Sequence, residues 1–465
     1  MNTKARVLWL ADRLTDYATH YGITGAAVAI HHDGHSYEAA TGTLNLATRV
    51  AVTRDSLFQI GSITKTFTAT LVLQLLEQGR VRLDDPVCLH LPGFAIASEE
   101  VAHSVTVRHL LTHTSGIDGD FFPDTGTDSD CIEKYLRACA GLGQIHAPDE
   151  CVSYCNAAFV ALGAMLEQIT GRRWDELLQQ RILRPLGLTH STADYAKLPR
   201  YRVAVGHLPN KETKQSEVAT RIHLPRGMGP TGSTLHTSAG DLARFGKAFL
   251  DGAHTSDGTR ILGDDIVCLS RREYATWPTA PWTGMAMGLG WLLYAWEGHS
   301  VFGHDGATIG QASYLRIMPD ANLVVTLLTN GGPARNLCNA LFRDLFAELA
   351  DTRLPQPPRA IDPATFDATR VLGIYENKST VARVFLNPQR ELTLQTTVRE
   401  LTDVVSGETR ILVPIAANAC RIVNPAMETA DLVVFHHFDA GEGRARFVTL
   451  NHRDLLRTLP EREDC

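Results

Sequence analysis

The stretch Gly61-Ser62-Ile63-Thr64-Lys65 places a candidate nucleophile, Ser62, at the start of a predicted helix. Apolar side chains repeat after it at helical spacing until Gly79 ends the pattern. Residues three apart on a helix share a face, so the Lys65 amine reaches the Ser62 hydroxyl. A serine hydroxyl needs a neighbouring base to act as a nucleophile, and lysine is one when its pKa falls from about 10.4. The stretch therefore predicts that Ser62 is acylated and that Lys65 belongs to its base.

Two further motifs give this common pattern its specificity. Tyr154-Cys155-Asn156 stands directly before a predicted helix, where a tyrosine can relay a proton and an asparagine amide can hold the lysine. His304-Asp305-Gly306 lies in a predicted loop that opens a strand near Ala307. A Ser-x-x-Lys pattern alone occurs by chance in most long chains, whereas three sparse motifs in this order are specific. We therefore interpret five side chains as one catalytic set: Ser62, Lys65, Tyr154, Asn156 and His304.

The three motifs resemble the signatures of the serine β-lactamase and penicillin-binding-protein superfamily, and more narrowly its class C β-lactamase and esterase branch. The resemblance covers roughly residues 10–350 and includes Gly232-Ser233-Thr234-Leu235. It implies an α+β fold, in which an α/β sandwich and a helical domain hold the active site between them.

The resemblance also implies a role for each motif residue. Ser62 would form the acyl-enzyme, Lys65 and Tyr154 would share its proton, and Asn156 would position Lys65 and the substrate backbone. The backbone N–H groups of Ser62 and Ala307 would form the oxyanion hole. The remaining residues of the third motif would contact substrate, namely Asp305 and Gly306.

The third motif departs from the family, which usually has Lys-Thr-Gly or a similar cationic triplet there. The family lysine helps to hold the free carboxylate of a penicillin or of a D-Ala-D-Ala peptide. His304 is expected to be a weaker cation whose charge depends on pH. The substitution argues against β-lactamase and carboxypeptidase activity, and it favours an ester, thioester or amide without a carboxylate beside the scissile bond.

The sequence pattern changes near residue 351. Residues 1–350 are predicted to form the catalytic domain, and residues 351–363 a proline-rich linker. Short alternating runs separated by turn residues predict a small all-β, lipocalin-like barrel over residues 364–465. Arg444 and Arg446 share one face of a predicted barrel strand, where they are either solvated surface or a rim contact to substrate.

Composition and charge exclude several classes of function. The chain has 465 residues and a net charge of −7, which argues against general binding of nucleic acid or anionic membranes. No stretch reaches the roughly 18 apolar residues of a membrane helix. Charges at Asp12 and Arg13 interrupt the N-terminal apolar stretch before a signal peptide can form, so we expect a cytoplasmic protein.

Cysteines and histidines give no metal or disulfide pattern. The nine cysteines are scattered and odd in number, and we interpret Cys151 and Cys155 as packing residues. The pairs His31-His32 and His436-His437 lie on predicted strands, where neighbours point to opposite faces. His113 is expected to pack or hydrogen-bond within a turn. The sequence therefore predicts neither a metal nor another cofactor.

The features together predict a stand-alone penicillin-binding-protein-type thioesterase of nonribosomal peptide assembly. Ser62 would take a peptidyl group from the pantetheine thioester of a peptidyl carrier protein, and the peptide's own amine would release it as a macrocycle. The resemblance suggests a D-configured residue at the acyl position. The alternative is a D-aminopeptidase-like or esterase-type hydrolase of the same mechanism. A non-catalytic scaffold is a third hypothesis, but it predicts erosion of the catalytic set, which is complete.

Overall fold

A nine-stranded antiparallel sheet forms the centre of the catalytic domain in the residues that the computed structural model describes, which are 3–210, 212–250, 252, 258, 260–356, 358–399, 408–423 and 431–458. From edge to edge its strands are Val50–Ala51, His35–Asn45, Gly25–His32, Leu323–Thr329, Gln311–Met318, His299–Thr308, Leu292–Trp296, Met285–Met287 and Ala275–Thr276. Gly25–His32 pairs with Leu323–Thr329 from Ala26 opposite Thr329 to His32 opposite Leu323. The first and last strands of the catalytic domain therefore pair in the middle of the sheet, and the helical part lies between these two strands in the sequence.

Helices cover both faces of this sheet. The terminal helices Thr3–His20 and Ala334–Ala350 pack on one face, and Ala239–Leu250 packs on the other. The remaining α-helices are Thr64–Glu77, Val87–His90, Glu99–Ser104, Val107–Leu111, Cys131–Ala138, Asn156–Thr170, Trp174–Leu178, Asp264–Ser270 and Ala280–Thr283. Smaller sheets contain the strands Phe58–Gln59, Ser191–Thr192, His236–Thr237, His207–Pro209 and Ser216–Val218. Among the described residues, no helix has the length and apolarity needed to cross a membrane.

The described part of residues 373–458 forms a closed barrel of eight antiparallel strands. Its strands are Gly373–Glu376, Thr380–Leu386, Leu392–Val398, Glu408–Ala416, Ala419–Ile422, Leu432–Phe438, Ala445–Leu450 and Arg453–Thr458. Inward-facing side chains such as Tyr375, Phe435 and Val448 fill its core. The barrel confirms the predicted all-β C-terminal domain.

The barrel contacts the segment that carries the second motif. The backbone N–H of Tyr154 donates to the His452 carbonyl at 2.8 Å, and the N–H of Asp454 donates to the Ser153 hydroxyl at 3.0 Å. Arg446 forms an ion pair of 2.6 Å with Glu150. Barrel residues therefore lie beside the predicted catalytic tyrosine.

The third motif occupies a strand rather than the predicted loop. His304, Asp305 and Gly306 lie inside His299–Thr308, which pairs along its length with Gln311–Met318. A two-residue connection at Ile309-Gly310, with Gly310 at φ 67, joins the two strands as a tight hairpin. The motif therefore has a fixed backbone direction beside Ser62.

Candidate active site

Ser62 lies in the turn Gly61–Ile63, directly before the buried helix Thr64–Glu77. One turn along, the Lys65 side chain is fully buried. Its Nζ lies 3.0 Å from Ser62 Oγ, 2.8 Å from Asn156 Oδ1 and 2.9 Å from the Thr231 carbonyl oxygen. The structure thus brings Ser62, Lys65 and Asn156 together and adds Thr231.

These contacts determine which way the proton moves between Ser62 and Lys65. Burial lowers the pKa of Lys65 well below its usual value, the charge of Arg453 lowers it further, and that of Asp120 raises it. A neutral lysine amine has two N–H groups, and the Asn156 and Thr231 oxygens, which only accept, take both. The nitrogen lone pair then faces the Ser62 hydroxyl, which donates to it. Lys65 is arranged as a general base.

The amide of Asn156 is fixed in one orientation. Its oxygen accepts from Lys65 and from the Thr231 hydroxyl at 3.0 Å. Its nitrogen donates to Asp120 Oδ1 at 2.7 Å. An ionised carboxylate can only accept, so Asp120 keeps the amide oxygen directed at Lys65.

Asp120 is in turn held by the barrel. Arg453 Nε lies 2.8 Å from Asp120 Oδ2, and Arg453 Nη2 donates to Oδ1 at 3.1 Å. The hydroxyl of Ser379 donates to Oδ2 at 3.1 Å. A polar chain therefore runs from the barrel through Asp120 and Asn156 to the lysine base.

The sequence analysis missed Asp120, Thr231 and Arg453. Arg453 follows a two-residue turn, Asn451-His452, whose φ angles of 48 and 65 are those of a tight hairpin. Asparagine is favoured in such a turn, so the hairpin could be predicted from the sequence. No local sequence pattern predicts that the tip of this hairpin reaches the active site.

Tyr154 lies between the side chains of Lys65 and Arg453. Its ring centroid is 4.7 Å from Lys65 Nζ and 5.1 Å from Arg453 Cζ, and its ring stacks on His113 at 4.3 Å. Burial raises the pKa of Tyr154, and the Ser62 hydroxyl lowers it by less. Its buried hydroxyl faces Ser62 and makes no hydrogen bond of ordinary length with any other described residue. Tyr154 is therefore a protonated phenol beside the nucleophile, free to give its proton to a reacting group.

His113 supports this ring as the packing residue that the sequence predicts. It is fully buried, and its Nδ1 accepts from the Cys155 backbone N–H at 3.1 Å. Burial and the nearby charge of Lys65 hold the pKa of His113 well below its usual value, so the ring is neutral.

The strand that carries Ala307 touches the turn that carries Ser62. A Cβ atom on Gly306 would lie 1.9 Å from the Ile60 carbonyl oxygen, and one on Gly61 would lie 2.6 Å from the Ala307 nitrogen. Glycine is required at both positions because the two backbones approach so closely. The backbones of Ser62 and Ala307, the predicted oxyanion hole, therefore lie close together, and both residues line the pocket.

His304 is neutral, which corrects the expectation of a pH-dependent cation. The side chain is buried, and desolvation together with the charge of Lys65 lowers its pKa to about 3. The neighbouring Asp305 carboxylate lies 2.5 Å from Arg316 Nη1 and 4.0 Å from Arg335 Nη1. The sequence analysis missed both arginines.

A pocket of about 350 Å³ between the sheet, the helical part and the barrel is lined by Ser62, Tyr154, Asn156 and His304, and its volume lies within the size range of ligand sites. The barrel contributes its hairpin tip, Asn451 to Arg453. Much of the remaining wall is apolar or aromatic: Phe122, Leu224, Met228, Trp277, Met285, Leu292, Tyr294, Ala312 and Tyr314. The site is therefore a mostly apolar pocket with a polar floor.

The structure places Arg444 and Arg446 outside this pocket. Arg444 Nε lies 3.0 Å from Glu442 in the preceding turn, and Arg446 pairs with Glu150 at the domain junction. The predicted substrate contact of these two arginines has no support in the geometry, and Arg453 is the barrel arginine that reaches the site.

The pair His436-His437 contradicts the expectation that the two rings point to opposite faces. His437 has φ 52, and the strand ladder pairs His436 and Phe438 with Phe447 and Ala445 but skips His437. The two Nδ1 atoms consequently lie 2.8 Å apart, and Cys151 Sγ lies 3.7 Å from His437 Nδ1.

Comparison with known proteins agrees with this geometry. Residues 10–347 match the family model described as Beta-lactamase. Penicillin-binding protein 4 of Amycolatopsis lactamdurans is 43% identical over 372 residues, which cover 79% of this chain and 97% of that protein. Among solved structures, SurE superposes with a TM-score of 0.76 at 25% identity and covers 98% of this chain and 99% of its own. The D-amino acid amidase of Ochrobactrum anthropi shares the fold, with a TM-score of 0.62 at 22% identity over 73% of this chain and 98% of its own.

Proposed function

The chain belongs to the beta-lactamase family, and from this premise we propose that it is a thioesterase that releases peptides by macrocyclisation. At the coarser level the protein is a serine hydrolase or acyltransferase. The proposed donor is a peptidyl thioester on the pantetheine arm of a carrier protein, and the proposed acceptor is the peptide's own amine. We place the reaction in the cytoplasm, and we propose a D-configured residue at the acyl position.

The pocket that the barrel tip helps to cover is the observation that carries this proposal. Above the polar groups beside Ser62, much of the pocket wall is apolar or aromatic. Removing water from an acyl-enzyme slows its hydrolysis and leaves time for an amine to attack. A neutral His304 further supports a donor without a carboxylate beside the scissile bond, since a buried neutral ring gives no salt bridge.

Acylation follows from the contacts of Lys65. Ser62 Oγ attacks the thioester carbonyl while its proton passes to the Lys65 lone pair. The backbone N–H groups of Ser62 and Ala307 stabilise the negative oxygen of the tetrahedral intermediate. The carbon–sulfur bond then breaks, and the phenol of Tyr154 protonates the leaving sulfur.

Release reverses this sequence with a different nucleophile. The free amine of the peptide attacks the Ser62 ester carbonyl and gives a proton to the Tyr154 phenolate. The ester bond breaks, and Lys65 returns the first proton to Ser62 Oγ. Every proton is returned, so the products are the macrocycle, the free thiol and the starting enzyme.

Product analysis of a synthetic linear peptidyl N-acetylcysteamine thioester tests the proposal. Mass spectrometry should show a product one water lighter than the linear acid, and Ser62→Ala should not form it. If peptides of varied sequence, including D-residues at the acyl end, give only linear acid, the macrocyclisation proposal is wrong.

A hydrolase of the same mechanism is the second candidate, as an esterase or a D-aminopeptidase-like enzyme. Ser62 is only half-buried, which leaves a path for water to the acyl group. Turnover of short nitrophenyl esters or D-amino-acid amides well above thioester cyclisation would favour this candidate.

A further inference from the structure

A cysteine and two histidines form a cluster where the catalytic domain meets the barrel, outside the pocket. Cys151 precedes Tyr154 by three residues, whereas His436 and His437 belong to the barrel strand Leu432–Phe438. The Sγ atom of Cys151 and one ring nitrogen of each histidine all lie within 4.8 Å of one another. Thiol and imidazole groups at such distances are ligands that Zn²⁺ prefers.

Two of the three ligand separations are close to those of a tetrahedral metal site, and the third, from Cys151 Sγ to His436, is at most 4.8 Å. Metal–nitrogen bonds of about 2.0–2.1 Å and a metal–sulfur bond of about 2.3 Å require N···N near 3.3 Å and S···N near 3.6 Å. Cys151 Sγ lies 3.7 Å from Nδ1 of His437 and 3.9 Å from its Nε2. The Nδ1 atoms of His436 and His437 lie 2.8 Å apart, so they need to separate by about 0.5 Å around an ion.

A buried carboxylate independently supports a ligand role for His436. Its Nε2 lies 3.2 Å from Asp454 Oδ1 and 2.9 Å from Thr449 Oγ1. Asp454 is fully buried and also accepts from Thr449 at 2.6 Å. A proton on Nε2 satisfies this carboxylate and leaves Nδ1, which faces the cluster, with a free lone pair. Ligand histidines in metal sites are oriented by carboxylates in this way.

We propose that Cys151, His436 and His437 bind one Zn²⁺ ion, with the fourth position open to water. Cys151 releases its thiol proton to solvent as the zinc–sulfur bond forms. The exposed ring of His437 gives the ion a path to the site. The ion ties the segment that leads to Tyr154 to the barrel, and it therefore supports the domain contact from which Arg453 reaches the active site.

Metal analysis of the full-length protein tests this site without reference to its activity. Protein supplied with zinc and then dialysed should retain about one ion per chain. Cys151→Ser and His437→Ala should each lower the retained zinc at least about tenfold. Cys268→Ser, at an exposed cysteine far along the sequence from the cluster, should retain it.

Cobalt replacement identifies the thiolate ligand. The Co²⁺ protein should show a sulfur-to-cobalt charge-transfer band in the near ultraviolet, and Cys151→Ser should lack it while Cys268→Ser keeps it. His437→Ala changes an exposed side chain, so it reports on binding even if the Cys151 variant is unstable. The proposal is wrong if the wild-type protein retains no zinc. It is also wrong if Cys151→Ser and His437→Ala both retain as much zinc as the wild-type protein.

Discussion

Removal of either partner of the Arg453–Asp120 ion pair should shift the pH dependence of Ser62 acylation, and in opposite directions. The reaction needs neutral Lys65, so its rate rises with pH through the pKa of that lysine. The positive charge of Arg453 lowers this pKa and the negative charge of Asp120 raises it. Arg453→Ala therefore moves the rising limb to higher pH, and Asp120→Asn moves it to lower pH.

The geometry sets the size of this shift. Lys65 Nζ lies 4.7 Å from the centroid of the Tyr154 ring, and Arg453 Cζ lies 5.1 Å from the same centroid. The two side-chain charges are therefore at most about 10 Å apart. At an effective dielectric constant of about 20, unit charges at about 10 Å interact by about 1.7 kcal/mol, or about 1.2 pKa units. The Arg453 side chain is 26% exposed, and water screens part of this interaction. We expect a shift of about 0.5–1 pH unit in Arg453→Ala, and a shift of opposite sign in Asp120→Asn.

The assay is the second-order rate constant for phosphonylation of Ser62 by a fluorophosphonate probe between about pH 5 and 10, with labelling followed by intact mass; this reaction needs the same serine nucleophile and base as acylation. Arg383→Ala removes an exposed barrel arginine and serves as the matched control, with an unchanged midpoint. Shifts in the same direction, or a uniform loss of rate with a fixed midpoint, would refute the electrostatic account.

Three further variants test the remaining parts of the site. Gly61→Ala should slow acylation about 100- to 1,000-fold, because its Cβ would lie 2.6 Å from the Ala307 nitrogen. Gly79→Ala is the control, because Gly79 also has a positive φ (67, against 50 for Gly61) but a Cβ there would meet open space. An equal loss of rate in both variants would contradict the close-approach argument. Tyr154→Phe should slow acylation by a thioester about 100- to 10,000-fold, and a thermal unfolding curve like that of the wild type should show that the fold is retained. An unchanged rate would mean that Tyr154 does not transfer a proton in this reaction. His304→Gln should leave the midpoint of the acylation pH profile within about 0.2 units, because a histidine whose pKa is about 3 stays neutral above pH 5. If the wild-type profile has an inflection near pH 6.5 that the variant lacks, His304 titrates in this range and the prediction is wrong.

Local sequence patterns were sufficient for the motif residues and for most long elements. The apolar pattern of residues 156–170 predicts a helix, and the structure has the helix Asn156–Thr170 there. The pattern of residues 311–318 predicts a strand, and the structure has the strand Gln311–Met318 there. In both, apolar periodicity agrees with the tertiary burial, so the local and global preferences coincide. The family resemblance and the fold class are confirmed by the family match and by the barrel.

The residues that hold the motif side chains in place could not be predicted, because they come from parts of the chain that are distant in sequence. Arg453 and Asp120 are 333 residues apart, and neither lies in a pattern that indicates a partner. The neutrality of His304 follows from burial next to Lys65, which no local pattern encodes. His437 escaped prediction because its left-handed φ of 52 breaks the alternation that a strand normally imposes.

The most direct test of the central claim compares two thioester substrates that differ only at the N-terminus of the peptide. One has a free amine, and in the other the amine is acetylated. The account predicts that the acetylated substrate accumulates as an acyl-enzyme on Ser62, seen as a stable mass increase, while the free-amine substrate turns over to a macrocycle without accumulation. Turnover of both substrates to linear acid at equal rates, with no accumulated acyl-enzyme, would contradict it.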